Sequence, residues 1–255
     1  MKQVPNYFTL LNLVFGCIAI IVTLQNGFIV YNDPQSGQQF LRVPESIALA
    51  SVFIGLAAVV DFLDGFLARL LKADSEMGKQ LDSLADLVSF GVAPGLIMYQ
   101  FLRLAIAAEP DGLDSSVIWL LPALFLPVAA AWRLARFNID TDQKFYFKGL
   151  PAPAGGLLIA SLPLIYWHGN VDAAVTLLQN KWVLYAIIAF TAIITVSKLP
   201  LLSLKFKDFT LKNNLPKVIL LVIAIVAGLF TGWLAIPLVI IAYILLSLGF
   251  KNSIA

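Results

Sequence analysis

One cysteine and one histidine stand in 255 residues, and only 13% of the chain is charged. The single thiol, Cys17, excludes a disulfide within the chain and a thiolate metal site. Placed inside the first apolar run, it reads as a packing residue. His168, beside Trp167 at a predicted helix end, reads as an interfacial residue rather than a catalyst. The shortage of charge excludes an ordinary soluble domain, where about 25% of residues are charged. There is no sequence repeat and no low-complexity tract. The longest polar connection, residues 26–45, is too short to fold alone. A net charge of +2 says nothing about partners.

What the chain has in abundance is apolar sequence: 60% hydrophobic residues and a mean hydropathy of +0.89. A helical membrane span needs about 20 mostly apolar residues. Apolar runs between polar or Pro/Gly punctuation predict eight helices, at 7–25, 46–70, 80–107, 116–137, 152–168, 181–198, 215–231 and 234–250. The expected fold is an all-α, polytopic membrane bundle of about eight transmembrane helices in one domain, 1–255. The first run has only Lys2 before it and no small-residue cleavage site, so it reads as a retained span. Gly91, Pro94 and Gly95 predict a kink in the third helix. Thr231-Gly232 predicts a tight hairpin between the last two. Trp119, Trp132, Trp167, Trp182 and Trp233 lie near predicted ends and fit an aromatic belt.

Alternating sides across eight spans, with the N-terminus in the cytoplasm, leaves only Arg42, Arg103 and Lys181 outside. The other fourteen of the seventeen basic residues fall inside, as the positive-inside bias requires. The segment Arg69–Lys79 is then cytoplasmic. The basic connector Lys198–Lys217 reads as topogenic charge or as an attraction for anionic headgroups.

Against this background four aspartates stand out. Asp61 and Asp64 are three apart and share one helix face; Asp82 and Asp86 are four apart and do so on the next helix. A charge at mid-membrane costs roughly 2.5–3.5 kcal/mol on insertion scales, which marks such carboxylates as functional. Gly65, Ala68 and Gly78 leave room for a ligand or helix to approach the backbone. Two antiparallel helices can therefore gather four hard oxygen ligands, suited to magnesium, calcium or manganese. Four carboxylates suit a two-metal cluster, which clamps phosphate oxygens during in-line displacement. Intramembrane acids also serve proton relays and ion pathways. A metal-ion or proton transporter would explain the acids, but not Gly65, Ala68, Arg69 and Gly78 beside them. Eight specified positions have a chance occurrence on the order of 1e-10 per window at average residue usage.

The complete pattern D-x2-D-G-x2-A-R-x8-G-x3-D-x3-D, Asp61 to Asp86, resembles the signature of the CDP-alcohol phosphatidyltransferases. That family transfers a phosphatidyl or similar group from a CDP-linked donor to an alcohol, releasing CMP, with divalent metal. The resemblance implies metal ligation by Asp61, Asp64, Asp82 and Asp86, with two Mg2+ or Mn2+ ions and Asp86 as the base on the acceptor hydroxyl. It implies CDP-diacylglycerol contacts at Gly65, Ala68, Arg69, Ser75 and Gly78. Pro5-Asn6-Tyr-Phe-Thr9 resembles the family's short N-terminal motif and adds Asn6 and Thr9 to the nucleotide wall; Asn6 as a helix N-cap is the plainer alternative.

Three further stretches resemble the phosphatidylserine synthase branch: Leu10-Leu-Asn12; Leu81-Asp82 through Ala93-Pro94; and Arg133-Leu-Ala-Arg136-Phe137-Asn138 followed by Gly149-Leu-Pro151-Ala-Pro153-Ala. The resemblance covers residues 1–160, the expected catalytic core, and leaves 161–255 as additional helices. It implies L-serine as acceptor, with Arg133, Arg136 and Asn138 as serine contacts, since arginine holds a carboxylate in a bidentate fork. Interfacial anchoring or lipid-phosphate binding is the alternative role for both arginines. A sister enzyme taking glycerol phosphate or inositol phosphate could use Arg133, Arg136, Lys144 and Lys148 instead. The implied partners are CDP-diacylglycerol, L-serine, membrane lipids and a second copy in a homodimer, with no nucleic acid. The implied location is the cytoplasmic membrane, with the site on its cytoplasmic side.

Overall fold

The first helix shows how this chain packs. In α1, Val4–Gln25, the inward positions are Pro5, Thr9, Asn12, Gly16, Ala19 and Thr23, three or four apart. Its large side chains Leu10, Leu11, Val14, Ile21 and Leu24 point outward. Small and polar residues inside with bulky apolar ones outside is the pattern of helices packed in hydrocarbon, where close approach rather than water exclusion drives association.

The structure, a computed structural model, describes residues 3–25, 27, 29–32, 39–42, 44–73, 75–109, 112–140, 146–202 and 211–250. After α1 come β1 (Ile29–Asn32), β2 (Gln39–Arg42), α2 (Ile47–Leu70) and α3 (Glu76–Asp86). A π-helical turn, Leu87–Val92, leads into α4 (Ala93–Ala107). A 3-10 stretch, Val117–Leu124, opens α5 (Phe125–Ile139). Then follow β3 (Tyr146–Lys148), α6 (Ala152–His168), α7 (Asp172–Leu178), α8 (Lys181–Val196), β4 (Pro200–Leu202), α9 (Leu211–Thr231) and α10 (Ala235–Gly249).

All eight expected segments are helical, and the fold is a polytopic helical one. By length and composition, five stretches of the described residues can cross a membrane: Val4–Gln25, Ile47–Leu70, Glu76–Ala107, Val117–Ile139 and Asn214–Gly249. The pair α7–α8, bent by 83°, makes a sixth if taken as one broken span. Two small antiparallel ribbons interrupt the all-α expectation. One pairs β1 with β2, and the other pairs β3 with β4 with Phe147 opposite Leu201.

The expected kink at Gly91-Pro94-Gly95 takes the form of the π turn, after which the helix continues. Pro94, in the first turn of α4, has no N–H to give to the preceding turn. A locally widened helix accommodates that loss. This third rod is the centre of the bundle, with Ile97, Met98, Phe101 and Leu102 fully buried and Phe101 edge-on to Tyr166 at 5.6 Å. Around it stand α1, α5, α6 and α8.

Between α2 and α3 the chain reverses through Lys72, whose φ of 50° is left-handed. α3 begins four residues earlier than the sequence suggested. The reason is its cap: Ser75 Oγ accepts from the Gly78 backbone N–H at 3.0 Å. The short reversal brings the C-terminal half of α2 alongside the start of α3.

Candidate active site

The inward stripe of α2, Ala50, Ile54, Ala57 and Val60, ends at Asp64, which is only 4% exposed. One turn earlier, Asp61 faces α3. Carboxylate oxygens of Asp61, Asp64 and Asp82 all lie within 4.8 Å of one another. Asp86, 6% exposed, adds a fourth acid within electrostatic reach of Asp61 and Asp82. The structure thus brings together the four aspartates that the spacing singled out.

Four carboxyl groups at this separation repel one another strongly in a low-dielectric surrounding. Among the described residues Arg133, 7% exposed, is a buried cation within electrostatic reach of Asp86, Asp61 and Asp82. One guanidinium against four acids leaves a deficit of positive charge. Hard oxygen donors in that number, half to fully buried, fit divalent cations of the magnesium or manganese kind.

α1 supports the acids from the other side. Thr9 Oγ1 donates to Asp64 Oδ2 at 2.7 Å. Asn12 Nδ2 donates to Asp86 Oδ1 at 3.2 Å. Asn12 is fully buried, and its Oδ1 has no hydrogen-bond partner. Ser89 Oγ, in the π turn, donates to the Asn12 carbonyl at 3.0 Å, a contact that Gly16 permits because a Cβ there would collide with Ser89. The π turn thus locks the backbone just after Asp86 onto α1. Asn12 had no role assigned in the sequence; the signal was a polar residue three after Thr9 on the buried face of an apolar helix.

A cleft opens from the acids between α1, α2 and α3. Its walls include Asn6, Thr9, Asp64, Gly65, Ala68, Ser75, Gly78 and Asp82, with Lys79. Six of the seven residues expected on the donor side therefore share one cavity. The seventh, Arg69, is exposed on α2 and is not part of this wall. A Cβ on Gly65 would meet nothing within 4 Å, so its missing side chain leaves space for something outside the chain. Gly78 differs: a Cβ there would sit 3.0 Å from Ser75 Oγ and 3.1 Å from Asn6 Oδ1.

The expected serine contacts separate. Arg133 faces the acids and lies over the rings of Phe137 at 5.0 Å and Phe147 at 6.0 Å. Arg136 turns away: its Nη1 donates to the carbonyls of Val196 at 2.7 Å and Ser197 at 3.3 Å, closing the C-terminal end of α8. Asn138 Nδ2 donates to Ser83 Oγ at 2.8 Å and ties α5 to α3 one residue beyond Asp82. Lys148 pairs with Asp140 at 2.6 Å. Lys144 lies outside the described residues.

Comparison with known proteins agrees with this geometry. A family model described as CDP-alcohol phosphatidyltransferase matches residues 2–196. The chain is similar to proteins named CDP-diacylglycerol–serine O-phosphatidyltransferase. The Mycobacterium leprae (strain TN) relative is 33% identical over 159 residues, 60% of this chain and 48% of that one. In Mycobacterium tuberculosis (strain ATCC 25618 / H37Rv) the identity is 35% over 204 residues, 76% and 65%. In Bacillus subtilis (strain 168) it is 32% over 166 residues, 65% and 78%. The chain thus spans about half to two thirds of the mycobacterial relatives' length. The family match runs from the start of α1 to the end of α8 and takes in every acid of the cluster and the whole wall of the cleft, so this chain belongs to the CDP-alcohol phosphatidyltransferase family.

Proposed function

We propose that this protein transfers the phosphatidyl group of CDP-diacylglycerol to the hydroxyl of L-serine, giving phosphatidylserine and CMP. The observation that carries the choice of acceptor is Arg133: a buried guanidinium beside the acids that is not part of the cleft's wall. Its planar fork matches a carboxylate. A phosphorylated acceptor would call for several cations, yet Arg136 is engaged with α8 carbonyls and Lys148 with Asp140. The names of the similar proteins support the same reading.

Asp61, Asp64, Asp82 and Asp86 would hold two divalent ions, Mg2+ or Mn2+. When bound, such ions offset the charge of the donor's pyrophosphate and of the leaving CMP. Gly65, Ala68 and Gly78 keep the cleft open for the donor headgroup, and Asn6, Thr9 and Ser75 supply its polar wall, with Arg69 at its outer edge. Arg133 binds the serine carboxylate and fixes the hydroxyl towards Asp86. Asp86, oriented by Asn12 Nδ2, accepts the hydroxyl proton. The serine oxygen forms a bond to the phosphatidyl phosphorus as the bond from that phosphorus to the CMP oxygen breaks. Arg136 and Asn138 act on serine indirectly, by fixing α5 against α8 and α3.

The proposal extends to eight membrane passages, a cytoplasmic N-terminus and active site, and a homodimer. The eight helical rods and the fourteen-to-three distribution of basic residues support the topology. The test is CMP release from CDP-diacylglycerol by purified protein with manganese or magnesium, adding serine, glycerol 3-phosphate or inositol phosphate separately. Release stimulated by serine alone, with phosphatidylserine as product, is expected. Stimulation by a phosphorylated alcohol would overturn the acceptor, and no release with any acceptor would overturn the activity.

A further inference from the structure

The family match ends at residue 196, yet a residue far beyond it reaches the site. Tyr243, on α10 and 7% exposed, lies within electrostatic reach of Arg133. Its hydroxyl donates to the Leu202 carbonyl of β4 at 2.9 Å. The Leu202 N–H donates to Ser247 Oγ at 3.1 Å, and Ser247 Oγ donates to the Tyr243 carbonyl at 2.6 Å. This closed loop of three hydrogen bonds, all buried, fastens β4 to α10.

β4 in turn carries β3, with Leu201 opposite Phe147. Phe147 lies beneath the Arg133 guanidinium, in contact with Phe137 at 6.4 Å between ring centres. Leu150, Leu201, Leu202, Ile240, Tyr243 and Ile244 form a hydrophobic cluster of their own, against which Phe147 packs. The path α10–β4–β3–Phe147–Arg133 is therefore continuous, made of buried hydrogen bonds, strand pairing and aromatic packing. Among the described residues no side-chain hydrogen bond joins Arg133 to an acid; the faces of Phe137 and Phe147 and the surrounding packing hold it.

We propose that the α9–α10 hairpin is the acceptor-side buttress of the enzyme, with Tyr243 a positioning residue that sets the Arg133 guanidinium through β4, β3 and Phe147. The proposal rests on the reading that Arg133 receives the carboxylate of the acceptor. It assigns β4 and α10 a part in acceptor recognition rather than in chemistry or donor binding.

The test uses the full-length protein in detergent and the variants Tyr243→Phe, Ser247→Ala and Phe147→Leu, with KM measured separately for serine and for CDP-diacylglycerol. Tyr243→Phe keeps the ring and removes one buried hydrogen bond. It should raise the serine KM roughly three- to tenfold, the worth of one such bond, and leave the donor KM within twofold. Phe147→Leu should do the same by a different route. In an Arg133→Lys background the effect of Tyr243→Phe should shrink to less than twofold, because the group being positioned is gone. An unchanged serine KM in all three variants, in protein whose wild type responds to serine, would overturn the buttress and leave the activity standing. A parallel rise in both KM values would overturn it too, as general loosening. A wild type with no serine-dependent CMP release would overturn the underlying reading and the buttress with it.

Discussion

The two sides of the carboxylate cluster are built on opposite principles. On the α2–α3 side the chain is hollowed out: Gly65, Ala68 and Gly78 withhold side chains, Ser75 is spent on a helix cap, and the walls leave an open cleft. On the α5 side everything is filled. Arg133 lies over Phe137 and Phe147, within electrostatic reach of Tyr243, beside a hydrogen-bonded strand and a separate hydrophobic cluster. A bulky nucleotide-linked lipid brings its own charge and shape, so its site must offer room. The proposed acceptor, a small amino acid, brings few contacts, so on this reading the protein must fix the one cation that receives it.

The largest expected effects fall where the two sides meet. Asp86→Asn removes the proposed proton acceptor and should lower kcat at least about a thousandfold, consistent with the loss of general-base catalysis together with metal ligation. It should keep more CDP-diacylglycerol binding than Asp64→Asn, which alters the acid held by Thr9 at the cleft. Equal loss of binding in equilibrium measurements on both variants would erase the division of roles. Next comes Gly65→Leu. The space around its Cβ is open, so the variant should fold with an unchanged melting temperature and raise the donor KM at least about tenfold, by occupying the cleft. A normal donor KM would move the donor elsewhere. Smallest is Arg136→Gln, which leaves the Val196 and Ser197 carbonyls without their partner. It should cost about 1–2 kcal/mol of stability, seen as a lowered melting temperature, with the serine KM within twofold. A large serine effect would restore Arg136 to the acceptor site.

How much of this was legible in the chain follows from how local each feature is. The aspartates and glycines were legible because helical periodicity alone puts residues three and four apart on one face. The helical segments were legible from their apolar runs, although by length and composition only five or six of the described stretches can cross a membrane. Arg136 and Asn138 were not, because their partners lie 55–61 residues away, and no periodicity tells a buried arginine facing an acid from one capping a distant helix. The kink expected at Pro94 takes the form of a π turn, and its attachment to α1 through Ser89 was not legible because the partner, Asn12, lies 77 residues away. Tyr243 read as one more apolar position of a terminal span. Its bond to Leu202 depends on a ribbon that the composition gave no reason to expect.

The central claim is that one arginine reads the acceptor and plays no part in holding the donor. Serine-dependent CMP release by Arg133→Lys, titrated against wild type in serine and then in CDP-diacylglycerol, tests it most directly. Lysine keeps the charge and loses the fork. The account predicts a serine KM raised at least about tenfold with the donor KM within twofold of wild type. A donor KM that rises as far as the serine KM, or a serine KM that does not move, would contradict it.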